Sequence, residues 1–579
     1  MGKVNAAFNV YLAVFVLLVG LVCLLISSVG FDQARHFLDG LSPDGDAEQF
    51  TPETFASGVS LLRLFGSLGV LSAFGLFWLR HQVDFPSYLN LGPLALRVVH
   101  ILKRLPAYLW LFLLVAVALG VWLRWADITQ PMRSDESWTY LNYVTRNWLV
   151  ILTTYDSPNN HILHNLFAHL SIYLFGDGLA AFRFPALVAG CLSIVFGFWA
   201  GRRFYGTEVG VGFALLIAVW PMLVDYSVNA RGYSMVVCLT LLLFVVGDAF
   251  RNGAKGSVFW FALICALGML VIPSFALSIL VVGGWILCSY GGAAWMTLIG
   301  RLLVSGCLAV MMTLALYGPV LAFNGLQALI ANDVVVGDGV QTASAFAHML
   351  SLWTDWTQGV PHYVQILAAF GGLAALVLDT RKTLALLVPL IGVGVFVSLL
   401  QGTLGPGRVW VFAVPVVLVV ALGGLHELGK LLFSITKLRG VATAAVVVLP
   451  LTLVMQILVW PAQSVYREFG YFPQGERVYQ HLLEAIDENE ALILAFPATK
   501  TVAYYADRAG DVAWMTDVLM TNKRKPQAIY VVVPADNTLE RVVTIFDELN
   551  NTRVLTTFAP VTSSAIQDVQ VARMQPVSQ

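Results

Sequence analysis

The sequence predicts an α-helical polytopic membrane protein with a small α/β domain in its C-terminal part. The chain of 579 residues is 58% hydrophobic and only 12% charged, and its mean hydropathy is +0.78. A soluble domain would carry roughly a quarter of charged residues to keep its surface wetted. Composition becomes more polar after Trp460, which predicts the additional domain. Lipid is therefore the expected solvent for most of the chain.

Apolar runs recur along the first 460 residues and predict about 13 transmembrane helices, since roughly 17–25 apolar residues cross a bilayer. Helices are expected because a spanning segment must satisfy its own backbone hydrogen bonds. The runs are 8–29, 59–79, 107–125, 182–201, 207–226, 232–250, 257–273, 275–290, 302–321, 363–379, 383–400, 409–425 and 441–460. The first run is long enough to span, so it is interpreted as a retained anchor and not as a cleaved signal.

The basic residues predict a cytoplasmic N-terminus. With this orientation Arg and Lys fall in the inner loops, whereas the outer loops receive mostly acidic residues, as the positive-inside rule requires. The inner basic residues are Arg80, Arg97, Lys103, Arg104, Arg202, Arg203, Arg251, Lys255, Arg301, Arg381, Lys382, Lys430, Lys437 and Arg439.

We divide the chain into three regions. Residues 1–104 contain two extra helices and a basic cytoplasmic loop, 105–460 form a transmembrane core with long outer loops at 126–181 and 322–361, and 461–579 form an extracytoplasmic α/β domain. In the last region helical and β-rich patterns alternate. The predicted helices are 475–489 and 539–551, and the predicted strands are 491–496, 528–533, 553–558 and 569–572. An amphipathic stretch at 161–175 is too short to span and is expected to lie along the membrane surface.

An acidic pair, Asp135 and Glu136, follows the third predicted helix in the first long outer loop. A carboxylate there can act as a general base that takes a proton from a hydroxyl nucleophile. A solvated acidic loop is the alternative interpretation.

Two histidines, His161 and His164, follow in the same loop at a spacing that places them on one helix face. Two histidines do not make a metal site, because zinc takes three or four protein ligands. No metal or other cofactor is expected, and contact with substrate or a structural role is favoured. A divalent metal stays an alternative, with carboxylates from Asp135, Glu136, Asp156, and Asp333 or Asp338.

Three arginines, Arg183, Arg231 and Arg408, fall at predicted outer membrane boundaries. Guanidinium binds phosphate in a bidentate, charge-assisted way, so these residues suit a lipid phosphate. Snorkelling to water is the simpler alternative. Trp353 and Trp356 in the later outer loop either stack on sugar faces or belong to an interfacial aromatic belt. The formal net charge of −1 argues against a nucleic-acid partner.

These motifs occur in an order that resembles the GT-C membrane glycosyltransferases, in particular protein O-mannosyltransferases and the aminoarabinose transferase of lipid A. The acidic pair lies in Ser-Asp-Glu-Ser-Trp-Thr-Tyr at 134–140, and Asn-Asn-His-Ile-Leu-His follows at 159–164. An Arg-Phe-Pro motif at 183–185 opens the next helix, Ala-Arg-Gly-Tyr-Ser stands at 230–234, and Gly-Arg-Val-Trp begins at Gly407. The resemblance covers roughly residues 107–460.

The resemblance implies a GT-C fold and a glycosyltransferase that moves a sugar from a polyprenyl-phosphate carrier to an acceptor hydroxyl, with inversion. The expected location is a bacterial or archaeal plasma membrane, with catalysis at the extracytoplasmic face and membrane lipid around the core. The acceptor is a lipid, a glycan or a protein. The implied general base is Asp135, supported by Glu136. The implied phosphate ligands are Arg408, Arg231 and His161, and the implied substrate contacts are Asn160, His164, Asp156, Trp353 and Trp356.

Two other functions stay open. A lipid-linked glycan polymerase or ligase shares an outer-face site, but it is expected to use arginines in place of the acidic pair. A secondary transporter is expected to show interrupted helices at matching places in two halves and ionisable residues at mid-membrane. Neither feature is evident in this sequence.

Overall fold

The structure is a computed structural model that describes most of the chain. The residues outside the description are 1, 41–49, 79–104, 255, 290–294, 326–327, 329–349, 402–404, 437–439, 462–465, 468–469, 523–525, 536 and 578–579. The chain forms two compact units. The first contains Met1–Ala126, Asn147–Gly176 and Ala181–Tyr466; the second contains Asp127–Arg146, Asp177–Ala180 and Arg467–Gln579.

Helices make up the regular structure of the described residues before residue 467. They are α1 (Gly2–Ile26), α2 (Phe31–Asp39), α3 (Pro52–Trp78), α4 (Ala107–Ala126), α5 (Ser134–Thr139), α6 (Trp148–Thr153), α7 (Ile162–Phe175), α8 (Leu179–Tyr205), α9 (Thr207–Val219), α10 (Pro221–Asp225), α11 (Tyr233–Arg251), α12 (Ser257–Val271), α13 (Phe275–Cys288), α14 (Trp295–Leu316), α15 (Gly318–Asn324), α16 (His362–Leu378), α17 (Thr380–Gln401), α18 (Ala413–Thr436) and α19 (Val441–Val459). Residues 350–356 are also helical, and Tyr226–Val228 and Gly407–Trp410 form 3₁₀ turns.

Eight of the described helices are long and apolar enough to cross a membrane, or up to ten if each of two bent pairs counts as one span. Their outward faces carry large apolar side chains; Leu399 is 79% exposed and Trp78 is 78% exposed. Such surfaces are stable only in lipid, so the chain is an integral membrane protein. The described residues of each predicted apolar run are mostly helical, but α12, α13 and α16 are shorter than a full span, and the predicted count of about 13 spans is not confirmed. The predicted amphipathic stretch is also helical, as α7.

A buried arginine explains how one broken helix is stabilised within the apolar core. Helix α9 ends before Pro221, which has no N–H to donate to the carbonyl of Ile217. Arg124, fully buried in α4, donates from Nη2 to that carbonyl at 3.1 Å and from Nη1 to the carbonyl of Ala218 at 2.9 Å. Arg124 thus supplies donors to two carbonyls at the break in the helix, including the one that Pro221 cannot satisfy.

The second unit contains a four-stranded sheet in the order β1-β2-β4-β3. Strands β1 (Ala491–Leu494) and β2 (Ile529–Val533) are parallel, whereas β3 (Phe558–Ile566) and β4 (Val569–Pro576) pair antiparallel, as do β2 and β4. Its helices after residue 467 are α20 (Gly475–Ala485), α21 (Ala498–Ala509), α22 (Val512–Val518), α23 (Leu539–Asn550) and α24 (Val554–Thr557). The predicted fold class, a polytopic helical protein with a small α/β domain, is confirmed.

One predicted strand is wrong. Residues 553–558 were expected to be β, but Val554–Thr557 form helix α24 and the strand begins only at Phe558. The carboxylate of Asp547 accepts hydrogen bonds from the backbone N–H groups of Val554 at 2.8 Å and Leu555 at 3.1 Å. These bonds satisfy the free donors at the start of the helix, and they outweigh the β propensity of the local sequence. Helices α21 and α22 were not predicted.

Candidate active site

In the first unit, the loop between α6 and α7 is held by the side chain of Asn160. Its amide nitrogen donates to the carbonyls of Ile151 at 2.9 Å and Thr154 at 2.6 Å. Its amide oxygen accepts from Asn165 on α7 at 2.9 Å. Because this buried amide is fully engaged inside the protein, it fixes the position of the next residue, His161, at the start of α7.

His161 is a buried, neutral hydrogen-bond donor. The backbone N–H of Gly232 donates to its Nδ1 at 2.6 Å, so the ring proton is on Nε2. Nε2 is buried and has no hydrogen-bond partner among the described residues. Burial, and then the positive charges of Arg231 and Arg408, lower the pKa of His161 well below 6.5. The imidazole therefore presents a fixed N–H without carrying a charge.

Arg231 lies beside His161 and is itself 3% exposed. Its Nη2 donates to the amide oxygen of Asn159, and its guanidinium lies 5.0 Å from the ring centre of Tyr233. The ring of Tyr233 meets the ring of His161 edge to face at 5.1 Å. At Gly232 a Cβ atom would come within 2.9 Å of Nδ1 of His161, so only glycine allows this close approach.

Arg408 is on the 3₁₀ turn after α17, close to an acidic residue that the sequence analysis did not place in the site. Burial raises the pKa of Asp355 above its ordinary value. A hydrogen bond from the hydroxyl of Tyr466 at 3.1 Å and the charge of Arg408 act in the opposite direction and offset part of this rise. A Cβ atom at Gly407 would come within 1.8 Å of Oδ2 of Asp355. Arg408 thus interacts electrostatically with both Asp355 and His161, so the three predicted phosphate ligands share one charged neighbourhood.

The remaining predicted contacts in this unit differ in their surroundings. Trp356 joins the 350–356 helix to its neighbours, because its carbonyl accepts from Nε1 of Trp220 at 2.9 Å and its own Nε1 donates to the carbonyl of Gly407 at 3.4 Å. Trp353 is half-buried and Asp156 is exposed. His164 is fully buried, with Nδ1 3.2 Å from the amide oxygen of Asn165.

The predicted acidic pair belongs to the second unit, on the short helix α5. One carboxylate oxygen of the fully buried Glu136 accepts from the backbone N–H of Arg133 at 3.2 Å. This is one half of a capping box, which stabilises the first turn of a helix. Asp135 is half-buried in that same turn. Glu136 therefore fixes the helix start that carries Asp135.

A polar network inside the second unit attaches the end of α5 to α21. The hydroxyl of Tyr140 donates to the carboxylate of Asp177 at 2.8 Å, and Arg508 on α21 bonds to both residues. Burial, followed by the neighbouring Asp177, raises the pKa of Tyr140 to about 12. The ring of Tyr504 adds an edge-to-face contact with Tyr140 at 5.0 Å. The bonds of Arg508 were not predicted, because they join positions more than 300 residues apart in the sequence.

A second contact between the same two helices involves a lysine. The ammonium of Lys500 on α21 lies 3.9 Å from the ring centre of Trp138 on α5, and burial lowers the pKa of Lys500.

Among the described residues no group of three or more His, Cys, Asp or Glu side chains is arranged to hold a metal ion. Asp333 and Asp338, which the sequence analysis considered as ligands, lie outside the described residues.

No protein family and no curated protein matches the chain by sequence. ArnT from Cupriavidus metallidurans, the lipid A aminoarabinose transferase, aligns in its apo state at a TM-score of 0.50 and 14% identity, over 80% of this chain and 97% of that chain. The same protein bound to undecaprenyl phosphate aligns at 0.50 over 81% of this chain and 98% of that one.

The chain has the GT-C fold. The oligosaccharyltransferase of Archaeoglobus fulgidus in its apo form, also of the GT-C superfamily, aligns at a TM-score of 0.43 and 13% identity, over 74% of this chain and 70% of that chain. The alignment with ArnT confirms, at the level of fold, the resemblance predicted from the order of the motifs.

Proposed function

We propose that this GT-C protein transfers a sugar from a polyprenyl-phosphate carrier to an acceptor hydroxyl at the extracytoplasmic membrane face. The observation that carries the proposal is the buried Nε2–H of His161, fixed by Gly232 and accompanied by Arg231 and Arg408. One neutral donor and two guanidinium groups suit a phosphate. A protein of the same fold bound to undecaprenyl phosphate supports this assignment.

At the donor side, the bond between the anomeric carbon and the phosphate oxygen breaks, and negative charge develops on the departing phosphate. Arg231 and Arg408 stabilise that charge, and His161 donates from Nε2 to a phosphate oxygen. Donors that are already oriented require little rearrangement during the reaction, which is the main source of electrostatic catalysis. The contacts of His161 with Gly232 and of Arg231 with Asn159 provide this orientation.

At the acceptor side, Asp135 removes the proton from the acceptor hydroxyl as its oxygen attacks the anomeric carbon. A single displacement inverts the configuration at that carbon, releases polyprenyl phosphate and leaves the proton on Asp135, from which solvent takes it. Glu136 supports Asp135 through the capping bond to Arg133.

Asp156, His164, Trp353 and Trp356 are proposed as substrate contacts, and Asn160 acts through the loop that it holds. We further propose that transfer needs no resident metal, because the two arginines supply the positive charge and His161 adds a neutral hydrogen-bond donor. Chelation with EDTA is then expected to leave the rate unchanged.

The decisive assay measures sugar transfer by the purified full-length protein from a radiolabelled polyprenyl-phosphate sugar to a membrane extract. Asp135→Asn is expected to lower turnover by about 10²–10⁴-fold, the usual contribution of a general base. Glu136→Gln is the matched control, because glutamine also completes a capping box and the helix start is kept. Turnover near wild type in Asp135→Asn would refute the assignment. Transfer only from pyrophosphate-linked glycans would favour a polymerase or ligase instead.

A further inference from the structure

A basic cavity lies in the first unit at the opposite end of the helices from His161 and Arg231. Helix α11 starts directly after the loop that carries Arg231 and ends at Arg251, which lines this cavity. Its 19 residues span about 28 Å at a rise of 1.5 Å per residue, close to the thickness of the hydrocarbon core. Helix α17 starts at the cavity and ends shortly before Arg408. The cavity therefore lies at the other membrane boundary.

The cavity has a volume of about 260 Å³. A single water needs only about 10–15 Å³ on this measure, so the space suits a headgroup and not one small ion. It is formed where α8, α11 and α13 end and where α17 begins. The side chains that matter for binding are Arg203, Arg251, Arg381, Lys382, Trp285 and Ser289.

Positive charge exceeds negative charge among the side chains that line this cavity and their ion-pair partners. Asp248 pairs with Arg203 and, at 3.3 Å, with Arg251. Asp379 pairs with Lys382 at 2.6 Å. Four cationic side chains against these two carboxylates leave a formal excess of two positive charges. Among the described residues no carboxylate forms an ion pair with Arg381. The arrangement therefore favours an anion.

Packing holds two of the cations in place before any ligand binds. The guanidinium of Arg251 lies 5.6 Å from the ring centre of the buried Trp285, and its Nη1 donates to the carbonyl of Ser289 at 3.4 Å. The ammonium of Lys382 lies 5.5 Å from the ring centre of Tyr205. Cations that are already fixed lose little side-chain entropy when they bind a phosphate.

We propose that this cavity binds the phosphate of an anionic phospholipid headgroup from the leaflet opposite the candidate active site. Arginine pairs with phosphate through two parallel hydrogen bonds, and basic pockets between membrane helices bind anionic headgroups. The polar contacts lie at the membrane boundary, and Trp285 and Leu386 contribute apolar side chains to the lining. This site is separate from glycosyl transfer and does not depend on the proposed function.

The test is native mass spectrometry of the full-length protein, titrated with phosphatidylglycerol or phosphatidylcholine of equal chain length. Wild-type protein is expected to retain phosphatidylglycerol in preference to phosphatidylcholine. Lys382→Gln is compared with Lys430→Gln, because both lysines pair with an acidic residue three positions earlier and are 51% and 52% exposed. Only Lys382 lines the cavity. Arg381→Gln combined with Lys382→Gln removes two cavity charges.

The double variant is expected to bind phosphatidylglycerol roughly 25-fold more weakly, since each of the two basic residues near an anionic headgroup contributes about fivefold. Lys430→Gln is expected to stay within about twofold of wild type, and equal thermal unfolding of all variants excludes misfolding. Equal retention of the two lipids, or an unchanged affinity in the double variant, would overturn the proposal. Inorganic phosphate that competes at lipid-like concentrations would overturn the lipid as the source of the anion.

Discussion

The backbone N–H of Gly232 donates to Nδ1 of His161 at 2.6 Å, and this one bond determines what the histidine can do. It places the remaining proton on Nε2, whose environment is buried. Because burial and two nearby guanidinium groups disfavour the charged form, the ring stays neutral: Nδ1 accepts from Gly232, and Nε2–H acts as a donor. Glycine is required at position 232, since any Cβ atom would meet the imidazole.

His161→Asn tests the donor role of Nε2–H. The asparagine oxygen can still accept from Gly232, so folding is expected to be kept, while the bond to phosphate is lost. A hydrogen bond to a charged group contributes about 1.5–3 kcal/mol, so affinity for polyprenyl phosphate is expected to fall by roughly 10- to 150-fold. His161→Phe also leaves Gly232 without an acceptor and is expected to destabilise the fold by about 1–3 kcal/mol. Binding of a fluorescent polyprenyl phosphate and thermal unfolding measure the two effects. Wild-type affinity in His161→Asn would exclude the role.

The depressed pKa of His161 predicts how stability depends on pH. In the unfolded chain the histidine titrates near 6.5, whereas in the folded protein it stays neutral well below that value. The unfolded state therefore binds more protons below pH 6.5, and the free energy of unfolding falls as pH is lowered from about 7 to 5. Wild type is expected to lose stability relative to His161→Asn as pH falls towards 5. The free energy of unfolding of both proteins is measured by denaturant titration in bicelles. A constant difference across this range would contradict the prediction.

Gly407 is expected to tolerate no side chain. In Gly407→Ala the new Cβ would meet the carboxylate of Asp355 at 1.8 Å, which displaces the turn that carries Arg408. Overpacking of this kind typically costs about 1–3 kcal/mol, and donor affinity should fall together with stability. Gly394→Ala is the matched control, because its nearest neighbour is the ring of Trp410 at 3.9 Å. Equal melting temperatures of the two variants would show that the turn adapts.

The contacts of Arg508 are expected to order the acidic helix without contributing much to global stability. Its partner Asp177 is 47% exposed and Arg508 is 39% exposed, so solvent screens this pair and its contribution should stay below about 1 kcal/mol. Arg508→Gln is expected to speed hydrogen exchange in residues 134–144 and to lower kcat without changing donor affinity. The exposed Arg541→Gln, on α23, is the control. Unchanged exchange in 134–144 would mean that α5 is held by other contacts.

The sequence was informative where function depends on residue type at a helix end. His161, Arg231 and Arg408 were predicted as phosphate ligands from their types and their positions beside apolar runs, and the structure places them in one charged neighbourhood. Their roles remain predictions. Apolar length also predicted the helices, because lipid imposes the same hydrogen-bonding demand on every span.

Long-range pairing was not predictable from the sequence. The bond from Arg124 to the carbonyl of Ile217 joins positions 93 residues apart, and the contact of Arg508 with Tyr140 joins positions 368 apart. Neither pair has a sequence spacing that would identify its two residues as contact partners. Asp355 was not predicted as a site residue, because its burial and its proximity to Arg408 are properties of the fold. Helix α24 also depends on a contact that only the fold shows, the bond from the backbone N–H of Val554 to the carboxylate of Asp547 seven residues earlier.

The central claim is that the carrier phosphate binds at His161, Arg231 and Arg408. The most direct measurement is an experimental structure of the full-length protein with undecaprenyl phosphate. We expect a phosphate oxygen within about 2.7–3.2 Å of Nε2 of His161, the distance of a hydrogen bond, with the guanidinium groups of Arg231 and Arg408 on the same phosphate. A phosphate bound elsewhere, or no bound lipid in protein that is otherwise well ordered, would contradict it.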